Sequence, residues 1–194
     1  MKNDLYSFAF RGLLTEENLD KIGRLKYHPE AIYFSEDIAK KLHLHEIDEK
    51  YVQQSKSMIT VFAAITAFEN ATRNFVYSVL VEEFNANWWE KGIQKGIREK
   101  AESRKEKESK IRWHSSRGED LLSYVDFGDL SKIMVSQDNW SLFEPYVYNQ
   151  EWVKTIFTDL EESRNVIMHS GILDEHDISR VGMNIRDWLS QINA

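Results

Sequence analysis

The stretch from about Ile47 to Asn85 constrains the fold more than any other part of the chain. Its apolar residues recur at intervals of three and four, the spacing of one helical face, and no proline or glycine interrupts them. The whole chain of 194 residues has only two prolines and eight glycines, which leaves other long stretches free to be helical. We therefore predict one long amphipathic helix here and an all-α fold overall. The predicted buried stripe comprises Met58, Val61, Phe62, Ile65, Phe68, Phe75, Val76, Val79 and Leu80.

The remainder of the chain predicts a single domain, residues 1–194, with two less regular parts. No repeat, low-complexity tract or linker divides it, and its length suffices for one substantial core. We interpret residues 1–45 as a small irregular N-terminal appendage. Residues 85–112 predict one helix that is aromatic at first and then highly charged, and we interpret residues 86–117 as a projecting helix or an insertion. The remaining predicted helices are short pieces between 121 and 144, a helix from about 149 to 171, and an amphipathic helix over 177–192.

Composition excludes several classes of protein. The absence of cysteine rules out disulfides, thiolate catalysis and cysteine-rich zinc sites. The longest uncharged run, Ser57 to Phe68, is too short to span a bilayer and no signal peptide is visible, so we expect no membrane segment and a cytoplasmic location. No nucleotide-binding glycine motif, HExxH or GxSxG is present, and we expect no cofactor. His43 and His45 are better explained as a solvated pair than as metal ligands, so no metal site is predicted.

A polar trio interrupts the apolar stripe of the helix predicted over 149–171. Arg164, Asn165 and His169 lie within six residues, shortly before Gly171, a residue type that commonly ends helices. Asn165 and His169 are one turn apart on the same face. Arg164 and His169 are separated by about 140° around the axis, so a regular helix does not direct both at one atom. Either the last turn is distorted, or two copies of the helix meet and each contributes to one site.

This arrangement resembles the Arg-x4–6-His signature of the HEPN superfamily, in which a polar residue follows the arginine, here Asn165. The resemblance covers residues 130–192 best, with weaker support from the long helix around Glu69. It implies a small antiparallel helical bundle that forms a homodimer and acts as a metal-independent endoribonuclease, with Arg164 and His169 as catalytic residues. The implied partners are RNA and, by resemblance to toxin–antitoxin and defence proteins, an antitoxin or other protein. The alternative is a catalytically inactive scaffold or partner-binding module of the same fold.

The implied reaction is attack of the ribose 2′-OH on the adjacent phosphate, which leaves a 2′,3′-cyclic phosphate and a 5′-OH. Histidine moves protons near neutral pH and the planar arginine fork suits phosphate oxygens, so the residue types fit this chemistry. Arg164 would stabilise the transition state, His169 would act as acid or base, and Asn165 would hold a phosphate oxygen or fix the imidazole tautomer. The competing interpretation pairs Arg164 with Glu161 or Glu69 and makes His169 a cap of its own helix.

Glu69 and Arg73 lie on the inner line of the long helix, where charged side chains need partners. One interpretation is a partly buried structural ion pair. The other is that Glu69 orients Arg164 or His169, or that Arg73 lines the same pocket. Several HEPN-like proteins have an acidic residue on an earlier helix near the Arg–His site, so the resemblance allows the second interpretation.

Positive charge is concentrated in one stretch of an otherwise acidic chain. Residues 91–117 contain ten Lys and Arg against four Glu, although the net charge of the chain is −7. One interpretation is a solvated helical face with i, i+4 ion pairs; the other is a platform for RNA phosphates on which an aromatic ring stacks a base. The candidate RNA-binding residues are Arg104, Lys105, Lys107, Arg112 and Trp113.

Overall fold

The computed structural model describes residues 36–192, which contain α-helices and short 3-10 turns but no strand. Contacts divide the chain into two units, residues 1–46 and 47–194. In the first unit, helix α1 (Glu36–Lys41) is followed by a 3-10 turn (Leu44–Glu46). Expectations for residues 1–35, which make up most of the predicted appendage, lie outside the described residues.

The second unit is helical along its described length, and the predicted all-α bundle is confirmed. None of the helices between residues 36 and 192 has the length and hydropathy of a membrane-spanning segment. In chain order, its elements are α2 (Glu49–Phe84), a 3-10 turn (Asn85–Asn87), α3 (Trp88–Gly92), α4 (Lys95–Ser109), a second 3-10 turn (Leu121–Tyr124), α5 (Phe127–Val135), α6 (Trp140–Phe143), α7 (Gln150–Met168) and α8 (Glu175–Ile192).

Helix α2 is the element against which most of the other helices of this unit pack. The Asp48 side chain caps it by accepting a hydrogen bond from the backbone N–H of Lys50 at 2.9 Å. Its inner face contacts α5, α6, α7 and α8. On the face of α2 that carries Glu69, Ile65 is buried. Phe62 is exposed, so the prediction that Phe62 belongs to the buried stripe is wrong.

An aromatic cluster joins α2 to three of these helices. The ring of Phe68 on α2 lies 5.7–6.0 Å, centroid to centroid, from the rings of Phe127, Phe157 and Trp188. Trp188 is completely buried, and the other three side chains are buried as well. Burial of each such side chain stabilises the fold by roughly 1.5–3 kcal/mol. The cluster therefore fixes α7 and α8 on α2 and sets where the end of α7 lies.

The single helix predicted over residues 85–112 is wrong, because the chain bends after Gly92. Ile93 is extended and buried, and α4 begins only two residues later. A Cβ atom at Gly92 would lie 2.8 Å from a methyl carbon of Leu80, so a larger residue there would force the Leu80 side chain to move. The side chain of Asn139 donates to the Gly92 carbonyl at 2.7 Å and holds the bend. Tertiary contacts have therefore overridden local helix propensity.

The first half of α4 packs against the rest of the unit through Ile97 and Ala101, which are buried. The helix lies beside the 3-10 turn at 121–124. Its second half has no buried residue. The assignment of residues 86–117 as a projecting helix or insertion stays a prediction.

Candidate functional site

The candidate site lies at the C-terminal end of α7, where the helix leaves the core. Asn149 caps its start by accepting from the backbone N–H of Trp152 at 2.9 Å. Its buried residues run from Val153 to Leu160 and no further. One turn beyond Leu160, Arg164 is half-buried. The polar trio therefore occupies the part of α7 that emerges from the bundle.

The end of α7 is fixed by a Schellman motif. The backbone N–H of Ser170 donates to the carbonyl of Ile167 at 3.0 Å, and that of Gly171 donates to the carbonyl of Val166 at 2.8 Å. The left-handed residue of the motif is Ser170, with φ of 62°, and not Gly171 as the sequence suggests. Gly171 has a different role, because a Cβ atom there would lie 2.8 Å from the Val166 carbonyl oxygen.

A network of charged groups holds Arg164. Its Nε lies 3.7 Å from Oε2 of Glu69, and the other carboxylate oxygen of Glu69 accepts from Arg73. Arg73 also donates to the backbone carbonyls of Leu122 and, at 2.9 Å, of Val125. The side chains of Glu69 and Arg73 are 15% and 13% exposed. Glu69 and Arg73 thus form a structural ion pair, and Glu69 contacts Arg164 at the same time.

Asn165 and His169 are both exposed. The backbone N–H of His169 donates to the carbonyl of Asn165 at 3.1 Å, which makes His169 the terminal residue of the helix. Neither side chain has a hydrogen bond or ion pair to another group within residues 36–192. Arg164 thus has an ion-pair partner in Glu69, whereas the imidazole of His169 and the amide of Asn165 are open to a ligand.

The basic stretch divides into residues with protein partners and residues without them. Arg104 donates to the Tyr124 carbonyl at 2.9 Å and to the carboxylate of Asp126, and Lys105 donates to the Glu119 carbonyl. These two side chains fasten α4 to the segment that follows it. They therefore form part of the fold rather than a free cationic surface.

Lys107, Arg112 and Trp113 are exposed. In the described part of the chain, the two cations have no ion pair. Trp113 is 85% exposed, and its ring packs edge-on against His114 at 5.7 Å. Of the five candidate RNA-binding residues, these three present their side chains to solvent.

An apolar groove adjoins the end of α7, and the sequence did not reveal it. Its volume is about 530 Å³, and it lies between the first half of α2 and the turn after α7. Phe62 from α2 and Ile172 from the turn are exposed in it. The only sequence signal was the run of apolar residues after Gly171, which gives no indication of a groove.

One group of described residues has its side-chain atoms close enough together to be compared with a metal site. His43, His45 and Glu46 belong to the first unit, and all three are exposed. Nδ1 of His43 lies 2.9 Å from the Glu46 carboxylate, which gives that ring nitrogen a protein partner. The three residues belong to a different unit from Arg164 and His169.

A helical bundle in which the last turn of one helix carries an arginine followed by a polar residue, with a histidine at the helix end, is characteristic of the HEPN class of proteins. A sequence model of the Swt1-like HEPN family matches residues 63–193, which is more than half of the chain. The chain therefore belongs to the HEPN superfamily, and within it to the Swt1-like HEPN family. Comparison with curated proteins and with solved structures gives no match.

Proposed function

We propose that this chain is a metal-independent endoribonuclease of the HEPN type that acts as a homodimer. The observation that carries the proposal is the contrast at the end of α7. Arg164 is held by Glu69, whereas His169 is exposed and its imidazole has no protein partner within residues 36–192. Cleavage of a phosphodiester without metal requires a positioned cation and a group that transfers protons near neutral pH.

In the proposed reaction, the neutral imidazole of one His169 accepts the proton of the ribose 2′-OH. The 2′ oxygen then attacks phosphorus, and the bond from phosphorus to the 5′ oxygen breaks. The departing oxygen takes a proton from water, and the imidazolium later returns its proton to solvent, so that the products are a 2′,3′-cyclic phosphate and a 5′-OH. Arg164 donates to the non-bridging oxygens, where charge accumulates, and Asn165 holds a phosphate oxygen or one imidazole tautomer.

The geometry of α7 supports a site shared between two copies. About 140° around the helix axis separates Arg164 from His169, so one regular helix does not bring both to one phosphate. The adjacent side chains of Val166 and Met168 are apolar and exposed, as expected of a surface that another chain covers. Light scattering at micromolar concentration should give the mass of two chains, and a mass of one chain would count against the dimer.

The exposed group formed by Lys107, Arg112 and Trp113 is the proposed RNA-binding surface. Free cations attract phosphates, and a solvent-exposed indole stacks on a base. The support is that these three side chains are exposed, in contrast to Arg104 and Lys105, which bond to the protein. We therefore assign direct RNA contact to the former and a structural role to the latter.

An inactive scaffold or partner-binding module is the second candidate, and two observations favour it. The carboxylate of Glu69 offsets the charge of Arg164, which weakens its attraction for phosphate. The apolar groove beside the end of α7 is large enough to receive side chains of another protein. Under this interpretation, the Arg–His pair contributes to recognition of a protein partner and not to RNA cleavage.

Changing His169 to alanine separates these two functions. We expect the variant to lose RNA cleavage while its melting temperature stays within about 1 °C of the wild-type value, because an exposed side chain carries little packing energy. His176→Ala is the matched control, since His176 is also exposed but lies on α8, and it should cleave at the wild-type rate. If wild-type protein cuts no RNA, or if the His169→Ala variant cuts as fast as wild type, the ribonuclease proposal fails.

Two further readouts belong to the same assay. The proposed mechanism uses no metal, so cleavage should persist in excess EDTA. The 3′ ends of the products should carry a 2′,3′-cyclic phosphate. A 3′-hydroxyl product end would contradict attack by the 2′-OH.

The proposed cellular role is that of a toxin or defence effector restrained by an antitoxin or another protein. Its support is the resemblance to HEPN proteins of that kind. Expression of the wild-type chain should slow the growth of cells, and expression of the His169→Ala variant should not. Equal growth in both cases would argue against this role.

A further inference from the structure

A polar pocket of about 320 Å³ is lined in part by Arg73, which is bonded to the same Glu69 carboxylate that contacts Arg164. Helix α2 contributes Asn70, Asn74 and Tyr77 to it, and the segment before the second 3-10 turn contributes Asp120. Its volume is at the lower end of the range for small-molecule sites, which suits a single nucleotide or base. The proposed cleavage mechanism does not use this pocket.

The pocket is connected to the candidate catalytic site through two side chains. Arg73 lines it and is bonded to Glu69, whose carboxylate lies 3.7 Å from Arg164. Arg73 is itself held by two backbone carbonyls, so this wall of the pocket is fixed relative to Arg164. Arg164 and the pocket are thus linked by two consecutive side-chain contacts, from Arg164 to Glu69 and from Glu69 to Arg73.

The side chains of the pocket have the chemistry of base recognition. Asn70 and Asn74 are one turn apart on α2, are exposed, and have no side-chain hydrogen bond to another described residue. Each amide offers two donors and one acceptor oxygen. The ring of Tyr77 is 41% exposed and is held in orientation by an edge-on contact with Trp88 at 5.1 Å. A fixed aromatic ring beside two unpaired amides can stack on a base and read its edge.

We infer that this pocket binds the base of a nucleotide next to the cleaved phosphate and prefers bases with an exocyclic amino group. The preference follows from Asp120, whose carboxylate lines the pocket and accepts hydrogen bonds only. One of its oxygens accepts from the backbone N–H of Leu122 at 3.0 Å, and the other oxygen has no partner among the described residues. Adenine, cytosine and guanine carry an exocyclic amino group that donates to such a group, whereas uracil lacks one and offers only its ring N3–H. The inference deepens the proposed ribonuclease function and rests on it for the identity of the ligand as RNA.

Binding is tested with the His169→Ala protein, so that cleavage plays no part in the measurement. Isotope-labelled protein is titrated with AMP, CMP, GMP and UMP, and with ribose 5-phosphate as a probe that has no base. The side-chain amide signals of Asn70 and Asn74 should shift with AMP, CMP and GMP, more weakly with UMP, and not with ribose 5-phosphate. Equal shifts with ribose 5-phosphate would show phosphate binding and overturn the inference, and equal shifts with UMP would overturn the amino-group preference.

Variants in the wild-type background then connect the pocket to cleavage. Replacing both Asn70 and Asn74 by alanine does not weaken α2, because alanine has the higher helix propensity, and it should reduce kcat/KM on mixed-sequence RNA at least about fivefold through the lost hydrogen bonds. Tyr77→Ala should have a similar effect, while Tyr77→Phe retains stacking and keeps most of the activity. Tyr148→Ala, at an exposed tyrosine outside the pocket, is the control and should be unchanged.

The outcomes distinguish this inference from the proposed function. If wild-type protein cuts RNA but the Asn70/Asn74 double variant shows the same rate and base preference, the pocket assignment is wrong and the ribonuclease stands. If no RNA is cut but the nucleotides bind as described, the ribonuclease proposal fails and the base-binding pocket stands. Absence of nucleotide binding and of any effect of the variants overturns the inference in either case.

Discussion

Removing the carboxylate of Glu69 tests whether an anchored ion network positions Arg164. In the Glu69→Ala variant, Arg73 retains only two backbone carbonyls as partners, although its side chain is 13% exposed. Breaking a fully buried pair costs about 3–5 kcal/mol, and an exposed pair contributes about 0.2–1 kcal/mol. Because both partners are mostly but not fully buried, we expect a loss of about 2–3 kcal/mol in the free energy of unfolding.

Arg164→Ala is the variant against which the loss of stability expected for Glu69→Ala is compared. Arg164 is 35% exposed and its contact with Glu69 is 3.7 Å long, so its removal should cost less than about 1 kcal/mol. At about 2–4 °C per kcal/mol for a chain of this size, Tm should fall by about 4–12 °C for Glu69→Ala and by less than about 4 °C for Arg164→Ala. Under the proposed function, the order of effects on activity is reversed: Arg164→Ala abolishes RNA cleavage, whereas Glu69→Ala slows it.

Thermal melts and urea unfolding followed by circular dichroism provide the measurement. Glu69→Gln is the matched control, because it keeps the shape of the side chain and removes only its charge, and it should fall between wild type and Glu69→Ala. Equal destabilisation by Glu69→Ala and Arg164→Ala would refute the reasoning. A Glu69→Ala protein that melts within about 1 °C of wild type would refute it as well.

Three further predictions concern the end of α7, the start of α8 and the RNA-binding surface. Gly171→Ala places a Cβ atom 2.8 Å from a backbone carbonyl of α7 and should destabilise the protein by about 1–3 kcal/mol in thermal melts. The pKa of Asp174 is lowered because its carboxylate accepts a backbone hydrogen bond in the first turn of α8. The stabilisation by this carboxylate is therefore present above its unfolded pKa and is lost as pH falls through the folded pKa. Melts between about pH 2 and 5 should show a steeper loss of stability in acid for wild type than for Asp174→Asn. Reversing Lys107 and Arg112 to Glu should flatten the salt dependence of single-stranded RNA binding by about 0.7 per lost contact, whereas Arg186→Glu on α8 should leave the slope unchanged.

Local patterns predicted the elements of this fold better than they predicted its charged contacts. The bounds of α2 and α7 followed within a few positions from apolar spacing and, at the end of α7, from Gly171. By contrast, Arg73 bonds to carbonyls 49 and 52 residues further along, and Arg104 pairs with a carboxylate 22 residues away. No pattern within one helix contains these partners. Composition therefore identified the basic stretch but did not separate the cations that hold the fold from those that are free.

The end of α7 shows the same limit at the level of single residues. Glycine after a helix usually indicates the left-handed residue, yet here Ser170 has the positive φ and Gly171 provides space for a carbonyl. Both arrangements end the helix at the same place, so the position of His169 was predictable and its local geometry was not. The exposure of Phe62 is a similar case, because its place in the apolar spacing said nothing about which parts of α2 the other helices cover.

The proposed dimer makes a prediction that a single-chain site does not. If Arg164 of one chain acts with His169 of its partner, a heterodimer of Arg164→Ala and His169→Ala chains has one site with both residues intact and one with neither. Random pairing of equal amounts yields heterodimers in about half of the molecules, so the mixture should recover about one quarter of wild-type cleavage activity. If each site takes both residues from the same chain, every site in the mixture lacks one of them and no activity returns.

Mixing should be done through unfolding and refolding, with the Arg164→Ala/His169→Ala double variant plus wild type as the control. That control has no complete site in its heterodimers, and its activity should come from wild-type homodimers alone. An inactive mixture of the two single variants, with exchange of chains verified by mass, would place Arg164 and His169 in one chain's site and would require a distorted last turn of α7.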